Sequence, residues 1–260
     1  MPSEPEVVSA TAELSVAGYS LQIRMAVPTG SKRPKHLLPV FHSVADALVE
    51  VGVRRIAEHG RTISCHKGCA ACCRQLVPLS TEEARQVREL VTALPEPQQS
   101  AIRERFAEAR ERLAQTELWE RLNDPQRIGP DGAGIAHEYF ALGIACPFLE
   151  HESCSIYHDR PLVCREYLVT SAPEHCQHPG PETVRCVKMP AEASAAMMQL
   201  EAAVESRPAR WVPLTLALDW AETNPELEGE RPGPELVREF FERLSGKPVN
   251  EAPALTRSVE

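Results

Sequence analysis

The sequence predicts a mainly α-helical fold with a small N-terminal β-hairpin and an irregular, cysteine-rich core. Three observations predict this fold class. Apolar and polar residues alternate over residues 12–28, apolar residues recur at helical spacing in several stretches after Pro39, and all nine cysteines lie between positions 65 and 186. The chain has 260 residues, of which 43% are hydrophobic, so it can bury a packed core and is not a wholly disordered polymer.

The N-terminal segment is predicted to form a hairpin followed by a helix. Two alternating runs flank Ala17-Gly18, which is typical of two strands joined by a tight turn. From Pro39 the apolar spacing changes to three and four residues, which predicts one amphipathic helix that ends near Gly60. The residues of its apolar face are Phe41, Val44, Leu48 and Val51.

Five further helices are predicted after the first cysteines. The capping box at residues 80–83 begins one helix, with Ala84, Val87 and Val91 on its buried side. A second helix is expected over 98–122, followed by loop over 123–136. Pro190 precedes an alanine-rich helix, 211–222 forms another, and Pro234 begins a last helix that ends at Gly246.

The changes in composition predict four segments along the chain. Residues 1–60 form the N-terminal hairpin and helix, and residues 61–189 form the cysteine-rich domain. Residues 190–248 supply C-terminal helices that we expect to pack on that domain. Residues 249–260 are expected to be a flexible tail.

The charge and the N-terminal sequence exclude several classes of function. With 28 lysines and arginines against 37 aspartates and glutamates, the net charge is 28 − 37 = −9, which argues against a nucleic-acid binder and against docking on anionic membranes. No apolar run is expected to reach the ~20 residues that span a bilayer. The start, MPSEPEVVSA, has no secretory pattern. We therefore expect a cytoplasmic protein, in a reducing compartment where clustered cysteines indicate metal or redox chemistry.

The first cysteine group lies in the sequence SCHKGCAACCR. In a helical turn or tight loop these thiols converge, because their spacings are three and four residues. Several thiolates presented by one turn favour zinc or iron. Small residues between them leave room for backbone N–H groups to approach the sulfurs. The four candidate ligands are Cys65, Cys69, Cys72 and Cys73.

The second cysteine group is spread over thirty residues, so only tertiary folding can bring its members together. Its candidate ligands are Cys146, Cys154, Cys164 and Cys176. The eight cysteines equal two tetrathiolate sites or one multinuclear site, which makes the irregular core a predicted metal-binding core. Arg160 and Arg165 would hydrogen-bond thiolates or, alternatively, form surface ion pairs. His66, His175 and Cys186 are reserve ligands.

These residues together resemble the CxxCxxCC family, the YkgJ-type cysteine-cluster proteins. The resemblance covers about 65–180, and the first gap has three residues where the family name has two. It implies chelation of zinc or iron, the latter also as an iron–sulfur cluster. It rests on the first cysteine group, Cys146-Pro-Phe-Leu, Cys154-Ser-Ile-Tyr, Arg160-Pro-Leu-Val-Cys164-Arg165 and Cys176.

Three alternatives stay open beside simple metal binding. The family includes flagellin lysine methylases thought to use an iron–sulfur cluster, which suggests a protein methyltransferase. The vicinal pair Cys72-Cys73 beside cations suggests a thiol redox or metal-delivery module. The spacing Cys65-x3-Cys69-x2-Cys72 matches a radical enzyme that uses S-adenosylmethionine, but the sequence predicts no repeated β-α units downstream. The sequence thus predicts a metal-binding protein and decides neither catalysis nor a protein partner.

Overall fold

The computed structural model describes residues 7–16, 18–123, 132–180, 182–206, 208–225 and 229–246. The chain forms two compact units. The first comprises Met1–His59, Lys188–Ala209 and Glu226–Glu260, and the second comprises Gly60–Val187 and Arg210–Pro225, with the described residues of each. The predicted tail at 249–260 and most of the predicted loop at 123–136 lie outside the described residues.

Helices dominate the described residues, which confirms the mainly α class. The α-helices are α1 (Leu38–Glu58), α2 (Thr81–Ala93), α3 (Gln98–Ala114), α4 (Leu118–Asn123), α5 (Gly132–Ala141), α6 (Leu162–Glu166), α7 (Ala193–Val204), α8 (Ala217–Thr223) and α9 (Gly233–Ser245). The strands are β1 (Val7–Val16), β2 (Tyr19–Pro28), β3 (Ser31–Lys32), β4 (Pro78–Leu79), β5 (Leu149–Glu150), β6 (Ser153–Cys154), β7 (Val212–Pro213) and β8 (Arg231–Pro232).

The first unit combines the predicted hairpin with α1, α7 and α9. Strands β1 and β2 pair antiparallel, and Gly18 adopts a φ of 85° in the tight turn between them. The apolar face of α1 is buried as predicted, and Phe41 stacks on Phe240 of α9 with ring centroids 4.0 Å apart. Gly233 begins α9 where a Cβ atom would lie 1.9 Å from the Pro28 carbonyl oxygen, so only glycine fits there.

One expectation drawn from the sequence, that no apolar segment is long enough to span a bilayer, is wrong for the first helix. By length and composition alone, Pro34–Glu58 is apolar enough to cross a membrane, whereas no such segment was expected. Half of its most apolar window is buried within the protein, which is the pattern of a core helix.

The second unit contains all nine cysteines and two apolar clusters. The predicted capping box is present, because the Glu83 amide donates to the Ser80 hydroxyl (3.2 Å) and the Ser80 amide donates to the Glu83 carboxylate (3.1 Å). The predicted helix over 98–122 is divided into α3 and α4. The division lies at Thr116, whose hydroxyl and amide both donate to the Leu113 carbonyl and tighten the backbone there. The predicted loop over 123–136 is helical from Gly132.

The helices after residue 190 are divided between the two units. Helices α7 and α9 belong to the first unit, whereas α8 and strand β7 belong to the second. Strand β7 pairs with β4, which directly precedes the Ser80 cap. Helix α8 packs on α2. The second unit therefore includes a segment that follows the predicted cysteine-rich domain in sequence.

Candidate metal centre

The first cysteine group forms consecutive tight turns instead of a helix. The Cys69 amide donates to the His66 carbonyl (3.0 Å), and the Cys73 amide donates to the Ala70 carbonyl (2.9 Å). Between the cysteines, Gly68 has a φ of 89°, a left-handed conformation that favours glycine. These turns fold the segment back on itself, so its four cysteines lie close together.

Backbone hydrogen bonds join the second group to the first. The Cys146 amide donates to the Cys73 carbonyl (2.7 Å), and the Leu149 amide donates to the Cys146 carbonyl (2.9 Å). Leu149 of β5 then pairs with Cys154 of β6 in a short hairpin. One continuous set of backbone contacts therefore places Cys73, Cys146 and Cys154 together, although they are separated in sequence.

Glu83 holds the segment that carries Cys164. One carboxylate oxygen of Glu83 accepts from the Ser80 amide, and the other accepts from the Leu162 amide (2.8 Å) at the first residue of α6. Burial raises the pKa of Glu83, and the hydrogen bonds from Leu162 and Ser80 oppose that effect. This single carboxylate caps two helices and positions Cys164 in the first turn of α6.

Cys65 is hydrogen-bonded at residue 169, and Cys176 follows that residue in the chain. The Val169 amide donates to the Cys65 sulfur (3.3 Å), and the Ser64 amide donates to the Val169 carbonyl (3.0 Å). Cys176 is buried in the short 3-10 helix Pro173–Gln177. Cys186 bridges to Val169 on the backbone but is exposed.

All eight predicted ligand cysteines line one cavity of about 150 Å³. This volume is roughly ten times what one buried water needs. Cys186 is not among its lining residues, and within the described parts of the chain no aspartate or glutamate is either. Among the described residues, no three His, Cys, Asp or Glu side chains stand in a preformed metal-binding group. The fold therefore gathers the sulfurs around a shared space without fixing a ligand polyhedron, and ligation by these cysteines stays a prediction.

Burial keeps most of these thiols protonated. It raises the pKa of Cys146 to about 12 and that of Cys176 to about 11, and it also raises those of Cys65, Cys154 and Cys164. The vicinal pair behaves differently. The Cys73 thiol donates to the Cys72 sulfur, which lowers the pKa of Cys72 to about 7 and raises that of Cys73. A metal that binds here must displace protons from several buried thiols.

The two predicted arginines have different surroundings. Arg160 lines the cavity, with its guanidinium carbon 4.2 Å from the centre of the Tyr157 ring. Arg165 is absent from the cavity wall; its guanidinium donates to the carbonyls of Arg160 (3.0 Å from Nε) and of His158. Arg165 therefore fixes the loop that carries Arg160.

The cavity wall fits a thiolate-bound metal in two respects. Its donor set is almost entirely cysteine sulfur, which suits zinc or iron. In addition, the Arg160 Nε is buried with no hydrogen-bond acceptor among the described residues, which leaves a cationic donor available to an anionic group.

The two histidines considered as reserve ligands differ in their position relative to the cavity. His66 lines the cavity, and its Nδ1 lies 3.2 Å from the Ser64 carbonyl. His175 is exposed and absent from the cavity wall, with its Nδ1 3.0 Å from the Thr183 carbonyl.

The contribution of Glu83 to α6 was not predicted from the sequence. The capping box was visible, but its contact with Leu162 depends on tertiary structure.

Comparison with known proteins identifies the same segment. Residues 64–179 match the CxxCxxCC family, described as a "putative zinc- or iron-chelating domain". No curated protein and no solved structure matches the chain. The match covers all eight cysteines of the cavity wall and excludes Cys186. The cysteine-rich segment at residues 64–179 is therefore similar to the CxxCxxCC domain.

Proposed function

We propose that this protein binds zinc or iron through the cysteine thiolates of the cavity. The observation that carries the proposal is the gathering of eight cysteines, from five separate stretches of backbone, in the wall of one cavity. Four free thiols in one turn-rich segment have a local explanation, but the other four reach the same cavity only through tertiary contacts. The family description names the same two metals.

The donor set supports zinc or iron over harder cations. Calcium and magnesium prefer oxygen ligands, and no carboxylate of the described residues lines the cavity. Thiolates bind zinc as tetrahedral sites and iron as iron–sulfur clusters. None of the nine cysteines forms a disulfide, which also supports the proposal that the chain works in a reducing cytoplasm.

The cysteines fall into two neighbouring groups. Cys73, Cys146, Cys154 and Cys164 form one group, because the charges of Cys146 and Cys154 raise the pKa of both Cys73 and Cys164. Cys65, Cys69 and Cys176 form the other group, and Cys72 influences members of both. This arrangement supports either two tetrathiolate sites or one multinuclear centre.

Metal binding is a better proposal than the three alternatives. The strands among the described residues form only two-stranded antiparallel sheets, so the partial barrel of a radical enzyme is not seen there. Neither the cavity wall nor the family match adds an observation that favours methyl transfer. The lowered pKa of Cys72 suits thiol exchange, but the seven other cysteines in the same cavity wall favour metal binding.

Elemental analysis of anaerobically isolated protein, with an optical spectrum, tests the proposal. We expect near-stoichiometric zinc or iron. A colourless zinc protein would indicate a structural site, and a brown protein absorbing near 400 nm would indicate an iron–sulfur cluster. Protein that carries neither metal, and that takes up neither on anaerobic reconstitution, would contradict the proposal.

Two matched variants test whether the cavity is the binding site. Cys164→Ser replaces a thiol of the cavity wall, whereas Cys186→Ser replaces the one cysteine outside it. We expect Cys164→Ser to lose bound metal and Cys186→Ser to keep it. Alkylation adds a second readout, because bound thiolates resist the reagent until the metal is removed. Rapid alkylation of the cavity cysteines in the metal-loaded protein would instead support the thiol-exchange alternative.

A further inference from the structure

A buried cationic donor without an acceptor marks one side of the cysteine cavity. The Nε of Arg160 has no hydrogen-bond acceptor among the described residues, although the atom is buried. Burying a hydrogen-bond donor without an acceptor costs free energy. Where a native fold contains such a donor, the usual reasons are local strain, a functional role or a ligand that supplies the acceptor. Arg160 is also part of the cavity wall, where a ligand would supply the acceptor.

The surroundings of Arg160 hold its guanidinium in place. It stacks on the Tyr157 ring at 4.2 Å, and its own backbone carbonyl accepts a hydrogen bond from Arg165. Pro161 follows directly and fixes the backbone before α6. The position of the guanidinium is therefore set by contacts that leave its Nε–H without a partner.

The guanidinium belongs to a residue that shares the cavity wall with cysteines of both groups. Arg160, Cys65, Cys72 and Cys154 all line this one cavity. A metal bound by four thiolates carries a net negative charge, because four negative sulfurs exceed the charge of Zn²⁺ or of an iron–sulfur core. A fixed cation that donates to sulfur offsets this charge and lowers the cost of burying it.

We propose that Arg160 is a positioning residue that donates its Nε–H to a thiolate of the bound metal centre and compensates the centre's negative charge. This inference rests on the proposed metal binding. Lys67 is a natural control, because its Nζ also lies over the Tyr157 ring, at 5.7 Å, but Lys67 is exposed and is not part of the cavity wall.

The test compares Arg160→Met, Arg160→Lys and Lys67→Met in the full chain, with Zn²⁺ affinity measured by competition with a chromophoric chelator. Loss of an outer-shell partner typically weakens metal binding by about 10- to 100-fold. We expect that loss for Arg160→Met, a smaller loss for Arg160→Lys, and no loss for Lys67→Met. The difference should persist at high salt, because a buried interaction is screened little.

Substitution with Co²⁺ separates a hydrogen bond to sulfur from a merely structural role. Removing a donor from a thiolate raises the energy of its lone pairs, so the thiolate-to-Co²⁺ charge-transfer band of Arg160→Met should move to longer wavelength. An unchanged band, wild-type Zn²⁺ affinity, or an equal loss in Lys67→Met would overturn the role of Arg160. These outcomes leave the proposed function intact, whereas failure of the wild-type chain to bind metal overturns both.

Discussion

The two units of this protein are stabilised in different ways. The first has a long hairpin, three helices and an apolar core centred on the Phe41–Phe240 stack, and no cysteine lies in it. The second has apolar clusters as well, but its cysteines lie in turns, two-residue strands and short helices. Regular elements are stabilised by their own periodic contacts, whereas the cavity wall depends on single hydrogen bonds and, we propose, on a metal. The two units should therefore respond differently to the same treatment.

Removing the metal should have the largest effect, and it should be confined to the second unit. Structural zinc contributes about 10–16 kcal/mol of apparent binding free energy in small zinc domains, and part of this is expected here as stability. All three tryptophans, Trp119, Trp211 and Trp220, belong to the second unit, so tryptophan fluorescence reports on it alone. A chelator should lower the unfolding midpoint seen by fluorescence. The far-UV circular dichroism signal that comes from the first unit should keep its unfolding midpoint. An equal shift of the fluorescence and circular dichroism midpoints would contradict a difference between the two units.

Truncating the Phe41–Phe240 stack should destabilise the first unit and leave the second unit unaffected. Phe240→Ala removes a fully buried ring, and such substitutions cost about 3–5 kcal/mol. We expect the first unit to be destabilised while the metal content per chain stays unchanged. Phe106→Ala is the matched variant in the second unit, where Phe106 packs edge-on against Phe148 at 5.5 Å. It should lower the midpoint seen by tryptophan fluorescence, and the opposite pattern in either variant would be evidence against two independent units.

Alkaline pH should destabilise the metal-free second unit. The pKa of Cys146 is raised to about 12 and that of Cys176 to about 11, so both thiols keep their protons in the fold after the unfolded chain begins to lose them near pH 9. Stability then falls as pH rises above 9, by up to about 1.4 kcal/mol per pH unit for the deeply buried Cys146 and by less for Cys176. Urea unfolding under reducing conditions between pH 8 and pH 10 measures this slope. Cys146→Ala should make the slope shallower, and an unchanged slope would refute the assignment.

A smaller effect is expected from the helix cap beside the cavity. Ser80→Ala removes the hydroxyl that accepts from the Glu83 amide, and loss of such a cap costs about 1 kcal/mol. The free energy of unfolding measured by tryptophan fluorescence should fall by that amount. Zn²⁺ affinity should fall slightly, because Glu83 also holds α6. Ser43→Ala is a control on α1 of the first unit, where the hydroxyl only donates to the Pro39 carbonyl. Equal effects of the two substitutions on tryptophan fluorescence would contradict a local origin.

The smallest effect should come from the ion pair on the rim of the cysteine loop. Arg74 donates to both carboxylate oxygens of Glu152, at 2.9 and 3.3 Å, but Glu152 is largely open to solvent and the Arg74 side chain is 35% exposed. Exposed ion pairs contribute little to stability. Glu152→Gln should leave the unfolding midpoint and the metal content within experimental error. A marked loss of metal would show that the rim pair takes part in closing the cavity.

The sequence predicted the local features well, because helices and hairpins follow from periodicity. Each confirmed feature depends only on residues that are close in sequence. These features are the buried faces of α1, α2 and α9, the tight turn at Gly18 and the capping box at Ser80. The division between α3 and α4 was missed because the predicted helix included a step of five residues, from Leu113 to Leu118, in a pattern of three and four. The turn at Thr116 lies within this step.

The site was predictable in its residues but not in its construction. Cysteine spacing and family resemblance pointed to the eight thiols of the cavity wall, yet the contact of Cys146 with Cys73 and that of Leu162 with Glu83 join segments far apart in sequence. The different roles of Arg160 and Arg165 were also hidden, since both residues flank the same cysteine. Only the fold shows that one lines the cavity and the other fixes the loop.

The return of the chain at residues 210–225 has a consequence for biosynthesis. Strand β7 completes the β4 pairing, and Leu214 both lines the cavity and donates its amide to the Val77 carbonyl. The family match ends at residue 179, before this segment begins. On the ribosome, the nascent cysteines emerge well before Leu214 does, so the cavity stays open on that side until translation has passed it. Insertion of the proposed metal into the finished cavity would therefore follow synthesis of residues 210–225.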